Sequence, residues 1–197
     1  IRLTQTLVKK KGRRVSSHES LYVALGRMLV AFQSLEATLT QGITLILNNQ
    51  LGTPAGQLAY AMVSELSFAS ASRLASLLPS FFTAERLAPK LPGGLERLNE
   101  ELTYTSTQLS AGLKLANEVE QRRNQVVHSY WLISPGMVND AETFTRMKTR
   151  VKAKSLSIQF KPETISEIDE NTKRAREAQQ LIGDALLNYK YIAEYEW

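Results

Sequence analysis

The chain has 197 residues, 43% hydrophobic and 22% charged, with no cysteine, two histidines and a formal net charge of +5. That length suits one cored domain. The missing cysteines exclude a disulfide framework, a thiolate zinc cluster and a cysteine nucleophile, and His18 and His128 are too few for an all-histidine site in one chain, so neither metal nor cofactor is expected.

Residues 1–14 carry six basic side chains and no acid. Lys9, Lys10, Lys11, Arg13 and Arg14 crowd around Gly12, and residues 1–15 read as a flexible basic arm, with an RNA contact or a partner attachment as alternatives. A single domain is expected over 16–197. Ser16 and Glu19 have the spacing of a capping box. From there Leu21, Leu25, Met28, Phe32, Leu35, Leu39, Ile43 and Ile46 form an apolar stripe at helical steps, until Asn48, Asn49 and Gly52 stop it. Thr53 and Pro54 open a second helical region with Leu58, Met62, Leu66, Phe68, Leu74, Leu77 and Leu78 as its apolar positions and Pro79 as its end or kink. Residues 89–94 are a loop by their Pro and Gly content. A third long helix runs from about Leu95 through Leu98, Leu102, Leu109, Leu113, Ala116 and Val119 toward Val127, and Trp131, Ile133, Pro135 and Gly136 mark its exit.

Residues 143–161 again hold six basic residues and no acid, and the hydrophobic period falls there from helical to two. Arg146, Lys148, Arg150, Lys152 and Lys154 alternate with Met147, Thr149, Val151 and Ala153, which is a strand pattern. Leu156, Ile158 and Phe160 continue it with shifted parity, so a turn or bulge near 153–155 is needed for the apolar side chains to share a face. The five cations then line one face over about 27 Å, suited either to a phosphate backbone or to a solvated edge that discourages pairing. A last helix from around Pro162 carries Ile165, Ile168, Ala175, Ile182 and Leu186. The fold class is mainly α: an antiparallel, up-down helical bundle with a small basic β-hairpin at about 143–160 before its last helix. The rest of the chain is mildly acidic, and two short basic segments on such a body suit a surface that meets a polyanion. No run approaches the roughly eighteen apolar residues of a membrane span, and the N-terminus lacks the apolar core of a signal peptide, so a cytoplasmic protein without membrane contact is expected.

The segment RRNQVVHSYW, residues 122–131, closes the third long helix. Helical steps of about 100° put Glu120, Asn124 and His128 on one stripe, while Arg123 and His128 diverge by about 140°. An arginine and a histidine can thus address one site, though a straight helix does not force them to meet. The alternative is a helix-terminal histidine favoured by the dipole, with Val126, Val127, Tyr130 and Trp131 in the core. The order Arg123, Asn124, Val126, Val127, His128, Tyr130 at the end of a long bundle helix resembles the HEPN family of nucleotide-binding helical bundles, whose signature is Arg, four to six residues, then His, often with Asn after the Arg. With four intervening residues and Tyr130 two positions on, it is most similar to HEPN toxins paired with nucleotidyltransferase antitoxins.

The resemblance implies a HEPN-type bundle that cleaves RNA without a metal at an interface between two copies, as a bacterial or phage-linked toxin or defence effector. Its partners would be RNA, a second copy in a homodimer or higher even-numbered oligomer, and an antitoxin or regulatory protein. The residue types suit attack of a ribose 2′-hydroxyl on the neighbouring phosphate, which needs a base, an acid and cationic stabilisation. Arg123 would bind phosphate, His128 would act as general acid/base, and Asn124 would orient His128 or touch substrate. Tyr130 is a candidate for regulatory modification or plain packing. Glu120 either holds an arginine or faces water, and Ser129 points away from His128. Arg122, Arg146, Lys148, Arg150, Lys152 and Lys154 are the candidate nucleic-acid contacts. The alternative is a non-catalytic HEPN-like helical module that binds RNA or nucleotide or mediates assembly. No aromatic set of the kind that stacks bases is interleaved along the sequence, so sequence-selective single-strand recognition is not expected.

Overall fold

The apolar stripe that opens the chain becomes α1 (Ser17–Leu47) in the computed structural model, which describes residues 17–48, 52–83, 87, 95–132, 143–152 and 155–194. Leu21, Met28, Phe32, Leu35, Leu39 and Ile43 are buried as their spacing requires. Ser16 of the expected capping box, the arm at 1–15, the loop at 89–94, Ile133, Pro135, Gly136, Ala153 and Lys154 lie outside the described residues.

Thr53 caps α2 (Pro54–Ser64), its hydroxyl accepting from the Gly56 N–H at 3.2 Å. The single helical region expected up to Pro79 is three pieces: α2, α3 (Phe68–Ser76) and α4 (Leu78–Phe81). Ser67 causes the first break, because its hydroxyl accepts from the Ser70 N–H at 3.2 Å and starts a new helix. With the axis broken there is no common stripe. Val63, Phe68, Ala71 and Ala75 are buried, whereas Leu58, Met62 and Leu77 are exposed.

The other long helices are α5 (Leu95–Val127) and α6 (Ile165–Glu194). The last helix begins at Ile165 rather than near Pro162 because residues 162–164 still belong to a strand. A capping box sets the start: the Thr164 N–H donates to Glu167 Oε2 at 2.8 Å, and the Glu167 N–H donates to Thr164 Oγ1 at 3.1 Å. The Thr164 N–H, and with it the Thr164 hydroxyl, which donates to the same Oε2 at 3.1 Å, hold the Glu167 carboxyl below the usual carboxylate range.

Helix α6 packs against both α1 and α5. The Gln179 amide donates to Thr38 Oγ1 at 3.1 Å and Gly42 lies against Leu186, so α1 and α6 run parallel. Gly112 lies against Ile182 and Glu118 pairs with Arg174, so α5 runs opposite to both. The up-down alternation therefore holds for α5, and α1 and α6 share a direction because both start at the end of the bundle where α5 stops.

At that end sits a three-stranded antiparallel sheet, β1 (Tyr130–Leu132), β2 (Thr143–Lys152) and β3 (Ser155–Thr164), in the order β1-β2-β3. Strands β2 and β3 are the expected hairpin, with Lys152 opposite Ser155; β1 is an addition, since Trp131 reads in the sequence only as a helix exit. The register puts Met147 opposite Phe160 and Thr149 opposite Ile158, which brings the apolar positions onto one face as the parity shift requires. The large core lies between the helices. A second, smaller cluster lies under the sheet, built from Leu21, Ala24, Met28, Val126, Phe144 and Ile168. No helix among the described residues is long and apolar enough to cross a membrane.

Two helix glycines make opposite predictions. A Cβ at Gly112 would stand 2.8 Å from Ile182 Cγ1 and 3.2 Å from the Ile182 backbone nitrogen, whereas one at Gly26 would meet nothing within 4 Å. Gly112→Ala is expected to destabilise by about 1–3 kcal/mol through overpacking, and Gly26→Ala to stabilise by about 1 kcal/mol through helix propensity. Thermal unfolding of the two variants checks the sign of each, and a stabilised Gly112→Ala would contradict the close α5–α6 contact.

Candidate functional site

The last turn of an α-helix leaves carbonyls without intrahelical donors, and α5 ends where three side chains can supply them. Arg146, reaching in from β2, donates through Nη1 to the Gln125 carbonyl at 2.8 Å and to Ser129 Oγ at 3.2 Å. Ser129 Oγ donates to the same Gln125 carbonyl at 2.5 Å, and the Trp131 indole N–H donates to the Val126 carbonyl at 3.3 Å. A cation at a helix C-terminus also meets the negative end of the dipole. Strand β2 is thus pinned to the helix that carries the Arg123–His128 segment.

Arg146 is 5% exposed, and its charge is balanced by Glu163, which is 0% exposed and lies between two guanidiniums. Arg146 Nε is 3.3 Å from Glu163 Oε2, and Arg122 pairs with the other carboxylate oxygen. Neither carboxylate oxygen has an aligned hydrogen bond, so the group is held by charge. Burial, then the neighbouring Arg122, pushes the Arg146 guanidinium below its usual range. Two of the expected nucleic-acid contacts, Arg122 and Arg146, are drawn toward Glu163, because β3 delivers that carboxylate opposite Phe144 on the face that packs under the sheet. Of the remaining expected contacts, Lys148 is half-buried on the same strand.

One turn further into the bundle, Arg123 turns toward α1. Its guanidinium carbon lies 4.4 Å from the centre of the Phe32 ring, and its Nη1 donates to Asn124 Oδ1 at 2.6 Å. Glu36, one helical turn beyond Phe32, is close enough to feel both Arg123 and Glu120. Burial raises the Glu36 carboxyl above the ordinary carboxylate value; Arg123 opposes that rise and Glu120 adds to it. Glu120 is therefore part of this charged group rather than a purely solvated residue. Glu36 was not singled out by the sequence, although its place four residues after Phe32 puts it on the rim of the apolar stripe.

The structure brings Arg123 and Asn124 together and leaves His128 apart. Among the described residues the His128 imidazole has no hydrogen bond or ion pair; it is exposed, and its backbone N–H donates to the Asn124 carbonyl at 3.2 Å. Asn124 thus holds the guanidinium with its side chain and sets the position of His128 through its backbone. Of the aromatic pair that follows, Trp131 packs with the small core while Tyr130 is 67% exposed. Val126 is buried and Val127 exposed. Among the described residues no three His, Cys, Asp or Glu side chains gather where they could hold a metal ion.

No family model, curated protein or solved structure matches the chain.

The inward reading of Arg146 is testable. Arg146→Met should cost about 3 kcal/mol in denaturant unfolding, because it uncaps α5 and leaves a buried carboxylate with one partner. A phosphate contact alone predicts unchanged stability. Glu36 gives a pH prediction whose sign follows from its raised value: the favourable protonated form is present below the ordinary carboxylate value and lost as pH rises through the folded one. Glu36→Gln should therefore raise the thermal midpoint at neutral pH, with the gain shrinking as pH falls into the carboxylate range. A gain independent of pH would contradict it.

Proposed function

We propose that the chain is a metal-independent endoribonuclease of HEPN type whose working site is completed by a second copy. The observation that carries this reading is the segment ending α5, where an exposed imidazole, without a partner among the described residues, follows within a turn and a half a guanidinium fixed by Asn124 and Phe32. Among the described residues nothing joins Arg123 to His128, so one subunit offers half of an acid/base pair. A twofold axis near the end of α5 supplies the second imidazole. One neutral His128 takes the proton of the ribose 2′-hydroxyl as its oxygen bonds to phosphorus. The protonated His128 of the other copy gives its proton to the departing 5′-oxygen as the phosphorus–oxygen bond breaks, leaving a 2′,3′-cyclic phosphate and a 5′-hydroxyl. Arg123 balances the charge of the crowded phosphorane.

Restraint by an antitoxin and a role as a bacterial or phage-linked toxin or defence effector belong to the same proposal. The exposure of Tyr130 supports it as a modifiable position.

A second reading is a non-catalytic helical module that binds RNA or nucleotide or mediates assembly. The observation that favours it is the engagement of Arg123 with Phe32 and Asn124, which makes a guanidinium that serves packing.

Cleavage of a single-stranded RNA by the purified chain separates the two. His128→Ala and Arg123→Ala should each lower the rate by at least about 100-fold, with circular dichroism unchanged and with no effect of EDTA on the parent. Activity that survives His128→Ala, or that needs an added divalent ion, would remove the mechanism.

A further inference from the structure

The outward face of the sheet is apolar and aromatic. Pairing places Tyr130, Met147 and Phe160 in one row across β1, β2 and β3, with Leu132, Thr145 and Pro162 in the row on one side and Thr149 opposite Ile158 on the other. Phe160 is 61% exposed, Ile158 50% and Leu132 41%. The alternate positions Trp131, Phe144, Arg146 and Glu163 share the opposite face, where Phe144 and Trp131 join the small core. Two aromatic rings from segments thirty residues apart in sequence are therefore neighbours on an open surface, separated by two strand spacings, or about 10 Å.

Three features bear on what this face meets. Monomers seldom leave a contiguous apolar patch uncovered without a use for it. Residues 143–161 hold six cations and no acid, and among the described side chains Arg146 is the one that Glu163 engages, while Lys161 is exposed. Beyond Met147 the sheet narrows to two strands, because β1 pairs only with residues 145–147. Lys148 and Lys161 each adjoin a residue of this face along the strand, Met147 and Phe160, so their charge lies within about one Debye length, ~8 Å, of it. An apolar protein partner would be served by aliphatic side chains and gains nothing from a one-sign charge; a polyanion with flat rings uses both.

We propose that this face is a stacking platform for single-stranded RNA, with Tyr130 and Phe160 each carrying a base and the Met147 thioether between them. Sheets that display two aromatics bind splayed bases in this way, and stacking tolerates any base. The platform adjoins the candidate site directly, since Tyr130 lies two residues after His128. A strand seated on it leads its backbone to the imidazole. The proposal rests on the RNA reading above; the two rings are not interleaved along the sequence and meet only in three dimensions.

The test uses the full chain carrying His128→Ala, so that binding is read without cleavage, and a fluorescein-labelled single-stranded RNA of about twelve nucleotides, within the range of known single-strand sites. Tyr130→Leu and Phe160→Leu keep the face apolar and remove the rings. Each should weaken binding about 5- to 100-fold and leave the salt dependence of binding unchanged, because no phosphate contact is lost. Tyr130→Phe and Phe160→Tyr keep the rings and should bind as the parent does. Unaltered affinity in the Leu variants would overturn the proposal, as would the absence of RNA binding in the parent. So would a chain whose self-association or protein capture is lost in Phe160→Asp while RNA affinity stays, which would make the face a protein interface. The outcomes separate from those of the nuclease: ring-dependent binding by a chain that never cuts keeps the platform and removes the mechanism, and cutting that ignores both Leu variants does the reverse.

Discussion

Glu163 lies fully buried between the guanidiniums of Arg122 and Arg146, and that ionic contact decides how the sheet meets the bundle. A carboxylate out of water is costly unless cations accompany it, so the two arginines must come to it from α5 and β2. Once Arg146 is drawn in, its free Nη1 reaches the orphan Gln125 carbonyl and closes the end of α5. The same contact fixes which face of the hairpin points inward. Phe144 follows Arg146 into the small core, and the alternation of side chains then sends Met147, Ile158 and Phe160 to the outside.

This arrangement places the candidate chemistry at a firmly held helix end. His128 and Tyr130 flank Ser129, whose hydroxyl is itself bonded to the helix terminus, so both are presented from a short, braced connection between α5 and β1. Arg123 is held from the opposite side by the Phe32 ring and shares its surroundings with the partly protonation-prone Glu36 and with Glu120. The motif is therefore divided between two environments: a charged, half-buried seam between α1 and α5, and an open corner beside the sheet. The proposed dimer would bring a second such corner against the first.

The long helices were legible because their signal is local: the stripe from Leu21 to Ile46 and the run from Leu95 to Val127 are periodic enough to be read without tertiary information. The hairpin was legible from its change of period. Two things were not. Ser67 divides the second helical region because one hydroxyl acts as a cap, a signal no stronger in sequence than that of the surrounding serines. The engagement of Arg146 with Glu163 was not legible because periodicity shows that Arg146 and Lys148 share a face but not which way the face points. That depended on Glu163, seventeen residues away, for which the sequence offers no pairing signal. The aromatic pair Tyr130 and Phe160 escaped for the same reason, since a three-residue strand such as β1 has too little pattern to be recognised.

The most direct measurement of this account is a double-mutant cycle on Arg146 and Glu163, combining Arg146→Met with Glu163→Gln and reading denaturant unfolding together with amide exchange in β1. If the buried ion pair holds the sheet to α5, the two changes should be coupled by about 1–3 kcal/mol, and either one alone should deprotect the β1 amides. Free energies that add to within about 0.5 kcal/mol, with β1 protection unaltered, would show that the sheet is anchored by something else.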